Sequence, residues 1–116
     1  MNIYHCFIEL KDDAKALAFA QALDRWMERL KAEDAIRDWR LMRRKLNLGS
    51  DDHGDFMLEV EVDDLSQLDR AFRLTGRHDD EVEKLHGQAH AMIGTARFAL
   101  YRPYPDEERA ERMALL

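Results

Sequence analysis

The stretch that most constrains the fold covers residues 56–62, with the sequence Phe-Met-Leu-Glu-Val-Glu-Val. Apolar residues occupy every second position from Phe56 to Val62, and two of the three positions between them are glutamates. Side chains alternate between the two faces of a strand, so this pattern predicts a strand with one apolar and one more polar face. The rest of the chain must supply partner strands and an apolar layer that covers the first face.

Three further strands are predicted from alternating apolar positions. They cover residues 3–10, 36–46 and 93–101. Residues 47–55, between the second and third strands, are rich in Asp, Asn and Gly, which are typical of turns. This segment is too long for a tight hairpin, but it suits a loop between antiparallel strands.

The strongest helical pattern runs from Ala14 to about Glu33, and Asp12 or Asp13 is the candidate N-cap. Its apolar stripe at helical spacing consists of Ala16, Phe19, Leu23, Trp26, Met27 and Leu30. We expect this stripe to pack on the sheet.

A second helix is predicted after Asp63 or Asp64, with an apolar stripe of Leu65, Leu68, Ala71 and Phe72. Asp80, with Glu83 three residues later, has the spacing of a capping box and predicts a new helix start. This third helix is either separate or a turned continuation of the second.

The predicted order is strand, helix, strand, strand, helix, strand. It predicts an α+β fold, the ferredoxin-like βαββαβ sandwich, with a four-stranded antiparallel sheet covered by helices on one face. We expect one domain over residues 1–105, because Pro103 and Pro105 end the last strand. Residues 106–116 are predicted to be a charged C-terminal tail with helical tendency.

Composition limits the classes of function and partner. The formal charge is −6, from 18 basic and 24 acidic residues, which disfavours a nucleic-acid partner. No apolar run approaches the roughly 20 residues of a membrane span, and the first residues have no signal-peptide pattern. With one cysteine, Cys6, an intrachain disulfide is not expected. We therefore predict a cytoplasmic protein without a membrane partner, and the absence of phosphate-loop, catalytic-triad and zinc-knuckle motifs predicts no cofactor.

The sheet face that the helices do not cover is predicted to be mixed. It carries Ile3, His5, Phe7 and Glu9; Arg40, Met42 and Arg44; Met57, Glu59 and Glu61; and Thr95, Arg97, Ala99 and Tyr101. Apolar side chains such as Phe7 and Met57 are unfavourable to leave in water as a contiguous patch. Pairing this face with a second copy of the chain would cover them.

A family resemblance appears in three segments, residues 1–6 (Met-Asn-Ile-Tyr-His-Cys), 39–41 (Trp-Arg-Leu) and 97–102 (Arg-Phe-Ala-Leu-Tyr-Arg). Together with the element order, they resemble the dimeric α/β-barrel proteins, which include stress-responsive A/B barrel and antibiotic-biosynthesis-monooxygenase-type domains. The similarity is greatest to a bacterial family of unknown function within that group.

The resemblance implies a homodimer in which two sheets pack face to face as a barrel. It also implies a cavity between sheet and helices or inside the barrel. His5 matches the position of a first-strand histidine in some stress-responsive relatives. The Asn, Trp and His signature of the monooxygenases does not map onto this chain residue by residue.

One candidate ligand site lies on the uncovered face and consists of His5, Arg40, Glu59 and Arg97, with Tyr101 nearby. Two arginines favour a carboxylate or another anion, because the guanidinium group can form paired hydrogen bonds with it. In an enzyme, His5 would be the candidate catalytic group for proton transfer. The alternative is that these side chains form ion pairs within a dimer interface.

Two weaker candidates concern metals. Glu83, His86 and His90 are spaced three and four residues apart on the third helix, as metal ligands can be, although a solvated helix edge also explains them. Asp51, Asp52, His53 and Asp55 could bind a hard cation, but turn composition accounts for them. We therefore predict no metal site.

Two functions remain open at this stage. The first is a small homodimeric domain that binds a small organic ligand, with an anion favoured, at the open sheet face or in the barrel interior. The second is a cofactor-independent enzyme, monooxygenase-like or isomerase-like, that acts on a small organic molecule.

Overall fold

The structure is a computed structural model, and it describes residues 1–76 and 81–105. The elements, in chain order, are β1 (Asn2–Leu10), α1 (Ala16–Ala32), β2 (Asp38–Arg43), β3 (Phe56–Val62), α2 (Leu65–Thr75), α3 (Glu81–His90) and β4 (Ile93–Tyr101). Asp79, Asp80 and the predicted tail at 106–116 lie outside the described residues.

The four strands form one antiparallel sheet in the order β2-β3-β1-β4. The predicted α+β, ferredoxin-like architecture is therefore confirmed, with β1 and β3 at the centre. His5 is opposite Glu59 on β3 and opposite Ala99 on β4, while Arg40 of β2 is also opposite Glu59. This register confirms the predicted assignment of strand residues to the two sheet faces.

The hydrophobic core lies between the sheet and the helices. Every second residue of β3 from Phe56 to Val62 is buried, and Phe19 and Leu23 of α1 are completely inaccessible to solvent. Burial of a large apolar side chain contributes about 1.5–3 kcal/mol, so the alternation in β3 and the stripe of α1 fix the orientation of the helix layer.

Two predicted boundaries were wrong. α1 begins after Lys15, whose side chain makes no capping hydrogen bond, so neither Asp12 nor Asp13 is the N-cap. β2 is shorter than predicted, because it ends at Arg43 and the chain turns through positive φ angles at Leu46 and Asn47.

The start of α2 is fixed by a buried glutamine. Asp64 is the N-cap, and its side chain accepts a hydrogen bond of 2.8 Å from the Gln67 backbone N–H. The Gln67 amide in turn accepts from the Asp63 backbone N–H at 2.7 Å and donates to the Asp34 carbonyl at 3.1 Å. These bonds satisfy the buried amide and connect α2 to the segment that follows α1.

The apolar stripe of α2 and the helix-facing side of β4 are less covered than predicted. Leu65 and Phe72 are about half exposed on α2, and Phe98 and Leu100 are exposed on β4. β4 is an edge strand, and the helix layer does not extend over its outer part. Phe72 and Phe98 therefore border an opening rather than fill a core.

Candidate functional site

The helix layer does not fill the space above the sheet completely. A cavity of about 310 Å³ remains between the sheet and all three helices. Its walls include Leu23 of α1, Ala71 of α2, His86 of α3 and Leu58 of β3. This volume falls at the lower end of the range typical of small-molecule sites, and its predominantly apolar walls are also typical.

Three aromatic rings line the cavity on the side of the edge strand. The ring of Tyr4 stacks on Phe98 with centroids 5.7 Å apart and meets Phe72 edge-on at 5.6 Å. Phe72 is 53% exposed and Phe98 60%, although both belong to the cavity wall. The cavity therefore opens to solvent between α2 and β4, and aromatic side chains form its rim.

Two polar rings lie against each other at the wall formed by α1 and α3. The ring centroids of Trp26 and His86 are 4.7 Å apart, and those of His86 and His90 are 5.2 Å apart. The Nε1 atom of Trp26 is buried and has no hydrogen-bond partner among the residues that the structure describes. A buried N–H without a partner destabilises a folded protein by about 1–3 kcal/mol, so this donor is energetically unsatisfied.

Three titratable groups of the cavity have pKa values shifted in favour of their neutral forms. Burial lowers the pKa of His86, the nearby His90 lowers it further, and Glu83 opposes the shift. Burial raises the pKa of the Cys6 thiol to about 11 and also raises the pKa of Tyr4. Cys6 is a buried free thiol, and the predicted absence of an intrachain disulfide follows from its being the one cysteine of the chain.

The site predicted from the sequence lies on the opposite face of the sheet. Arg40 donates a side-chain hydrogen bond to Glu59, and His5 Nδ1 is 4.0 Å from a Glu59 oxygen. The rings of His5 and Tyr101 meet edge-on at 5.1 Å. The structure therefore brings together four of the five predicted residues; whether they bind a ligand stays a prediction.

Arg97, the fifth residue, bonds elsewhere. Its Nη2 atom is 3.0 Å from Oδ1 of Asp52, in the loop between β2 and β3. The ring of His53, in the same loop, meets Phe7 edge-on at 5.3 Å. The loop that was interpreted as a plain turn therefore covers part of the open sheet face and pairs Arg97 with a carboxylate.

The weak metal candidates do not form a ligand cluster. Among residues 1–76 and 81–105, no group of three or more His, Cys, Asp and Glu side chains could hold a metal ion. The interpretation of His86 as part of a solvated helix edge was also wrong, since its ring packs on Trp26 and lines the cavity. His90 is exposed.

The helix-side cavity was not assigned to particular residues from the sequence. Trp26 belongs to the apolar stripe of the first helix, and His86 lies beside the stripe of the third. The pattern of each helix alone therefore accounts for each residue without a cavity. Two bulky polar rings on neighbouring inward stripes were the available signal. Nothing in one-dimensional periodicity gives the distance between two helices, and that distance determines whether their side chains fill a core or line a cavity.

Solved structures place this architecture in a class of proteins. It is similar to the protein At3g17210 from Arabidopsis thaliana, with a TM-score of 0.72 and 8% identity over 89% of this chain and 95% of that one. It is also similar to a dimeric ferredoxin-like protein of unknown function from Thermobifida fusca, with a TM-score of 0.59 and 15% identity over 89% and 92% of the two chains. A third similar structure is a variant of SnoaB, a cofactor-independent oxygenase from Streptomyces nogalater, with a TM-score of 0.64 and 12% identity over 91% and 94%.

These similarities define the class as ferredoxin-like domains, and the predicted relatives, an antibiotic biosynthesis monooxygenase and a dabb-family protein, are among the matches. Within that class, the chain belongs to a family of unknown function (DUF6614), which it matches over residues 1–116. The predicted relationship is therefore confirmed. No curated protein matches this sequence. In the part of the chain that the structure describes, no helix is long and apolar enough to cross a membrane.

Proposed function

We propose that this chain is one subunit of a homodimer that binds a small organic molecule in the helix-side cavity. The observation that carries the proposal is the cavity itself, which has apolar walls, an opening rimmed by Phe72 and Phe98, and an unpartnered donor on Trp26. Empty apolar space loses packing contacts, so a ligand that fills it gains them.

The open sheet face is the proposed subunit interface. Phe7, Met42 and Met57 lie side by side there, as the register of β1, β2 and β3 shows. Two similar solved structures are described as dimeric. The Arg40–Glu59 pair beside this apolar group would then become a contact within the dimer. The competing proposal is that the Arg40–Glu59 pair forms an anion site together with His5, Arg97 and Tyr101.

A cavity-filling substitution tests the ligand site. Ala71 is buried at the cavity wall, whereas Leu65, on the same helix, is half exposed and does not line the cavity. Ala71→Phe should abolish the thermal stabilisation by hits from a fragment screen, while Leu65→Phe should retain it, since ligand binding to the native state raises the melting temperature. Equal stabilisation of both variants would place the ligand elsewhere.

Catalysis is the second candidate function, favoured by the neutral imidazole at the cavity wall. Because burial lowers the pKa of His86, this side chain is an unprotonated base near pH 7. One similar structure is a cofactor-independent oxygenase, so this fold accommodates chemistry without a bound cofactor. His86→Gln would then retain ligand affinity and lose turnover, whereas a binding domain would show no turnover in either form.

A further inference from the structure

We propose that the ligand of the helix-side cavity is an uncharged, flat, apolar molecule with a hydrogen-bond acceptor that binds the indole N–H of Trp26. This inference rests on the proposed function, because it needs the cavity to be the ligand site. Three properties of the cavity carry it: its charge, the shape of its rim and its unsatisfied donor.

The charge of the cavity disfavours an anionic ligand. Of the described side chains that line it, none is Asp, Glu, Lys or Arg. Its titratable side chains are Tyr4, Cys6, His86 and His90. Burial raises the pKa of Tyr4 and Cys6 and lowers that of His86, so these three groups are neutral near pH 7. A carboxylate in such surroundings would lose its hydration without gaining a counter-charge, which is strongly unfavourable.

The rim of the cavity favours a flat molecule. The stacked rings of Tyr4 and Phe98, with Phe72 edge-on to Tyr4, border the opening, and the indole of Trp26 lies in the wall. Aromatic rings prefer offset-stacked or edge-to-face contacts with one another, so a fused-ring ligand gains more here than a flexible chain of equal area. The volume of about 310 Å³ limits the ligand to a small molecule.

The requirement for a hydrogen-bond acceptor on the ligand follows from a contrast between the two tryptophans of the chain. Trp39 Nε1 donates to Glu28 at 2.8 Å, whereas Trp26 Nε1 is buried and has no partner within residues 1–76 and 81–105. An acceptor on the ligand would satisfy Trp26, after a shift of neighbouring side chains of the kind that commonly accompanies binding. Since the indole nitrogen only donates, the matching ligand group must be an acceptor such as a carbonyl or a hydroxyl oxygen.

Three naphthalene probes separate these requirements. Naphthalene has the flat shape alone, 2-naphthamide adds a neutral acceptor, and 2-naphthoate replaces that acceptor with an anion. Titration calorimetry at pH 7.5 should show 2-naphthamide binding about tenfold or more tightly than 2-naphthoate, and more tightly than naphthalene. Trp26→Phe should weaken 2-naphthamide by about three- to tenfold more than it weakens naphthalene, the size of one hydrogen bond. Trp39→Phe is the matched control and should affect none of the three.

Other outcomes would overturn the inference. Equal or tighter binding of 2-naphthoate in wild type, or equal binding of naphthalene and 2-naphthamide, would refute the charge or the acceptor requirement, even if Trp26→Phe does not fold. If none of the probes binds, the ligand class is wrong. The proposed function has its own test: it is refuted if fragment hits stabilise Ala71→Phe as much as Leu65→Phe.

Discussion

The rings of Trp26 and His86 lie 4.7 Å apart, on two different helices, at the wall of one cavity. α1 supplies the indole, α3 supplies the imidazole, and β1 and β3 contribute the opposite wall. Because this contact joins the helix layer where the core is incomplete, the protonation state of His86 should affect both stability and ligand binding.

The first prediction concerns pH and the stability of the fold. The pKa of His86 is lowered from its ordinary value of 6.5, chiefly by burial. Above pH 6.5 the imidazole is neutral in the folded and unfolded chains, so its contribution to stability is fully present. As the pH falls through 6.5, the unfolded chain binds a proton that the folded chain does not, and the free energy of unfolding decreases until the folded pKa is reached.

Urea unfolding at a series of pH values between 7.5 and 5 measures this loss. His86→Gln cannot titrate in this range, so it should show a smaller decrease in stability than wild type. Direct NMR titration of the His86 ring should give a midpoint below 6.5. A midpoint above 6.5, or identical pH slopes for wild type and His86→Gln, would contradict the burial of this imidazole.

The second prediction concerns the proposed homodimer. Met57 is partly buried on the open sheet face, opposite Phe7 and Met42 in the neighbouring strands. Met57→Asp would place an unpaired charge in the centre of the interface and strongly weaken association, because an isolated charge is costly to bury. Sedimentation velocity at micromolar concentration should show a dimer for wild type and mostly monomer for this variant.

Leu17→Asp is the control, because Leu17 is 71% exposed on α1 and should stay outside the interface. This variant should sediment as a dimer. A monomeric wild type would refute the proposed barrel, and a dimeric Met57→Asp would move the interface to another surface.

The third prediction concerns the loop that crosses the open face. A Cβ atom at Gly54 would lie 2.4 Å from the Ile8 carbonyl oxygen, whereas nothing lies within 4 Å of a Cβ at Gly87 in α3. Gly54→Ala should therefore destabilise the fold by about 1–3 kcal/mol, since backbone must move to relieve the clash. Gly87→Ala should instead stabilise it by about 0.5–1 kcal/mol, because alanine is the better helix former. Thermal unfolding of both variants measures the difference, and a stabilising Gly54→Ala would show that the loop is not held against β1.

Much of the fold could be predicted from the sequence because burial of apolar side chains on one face of a strand or helix produces a periodic sequence pattern. The alternation from Phe56 to Val62 and the helical stripe containing Phe19 and Leu23 each report which side of an element is buried. Helix boundaries could not be predicted as well. Asp12 and Asp13 have the chemistry of an N-cap, but α1 begins after Lys15. An N-cap contributes only about 1 kcal/mol, which is too little to fix a helix boundary by itself.

The candidate sites likewise include contacts that the sequence predicts and contacts that it does not. The sheet register follows from alternation, so the proximity of His5, Arg40 and Glu59 could be predicted. The Arg97–Asp52 contact depends on the path of the loop between β2 and β3 across the sheet, and a loop has no periodic sequence pattern from which its path could be predicted. The cavity likewise depends on the separation of packed elements, and the contact of Trp26 with His86 joins residues far apart in the chain.

The most direct test of the ligand site uses the two indole N–H resonances of the protein, since the chain contains two tryptophans. Trp26 lines the cavity with an unpartnered Nε1, and Trp39 is held outside it by Glu28. In a ¹H–¹⁵N NMR titration with 2-naphthamide, the Trp26 indole signal should shift strongly and saturate, while the Trp39 signal stays in place. Saturable shifts in the Trp39 indole and the Arg40 side chain, with the Trp26 signal unmoved, would contradict the cavity site and favour the open sheet face.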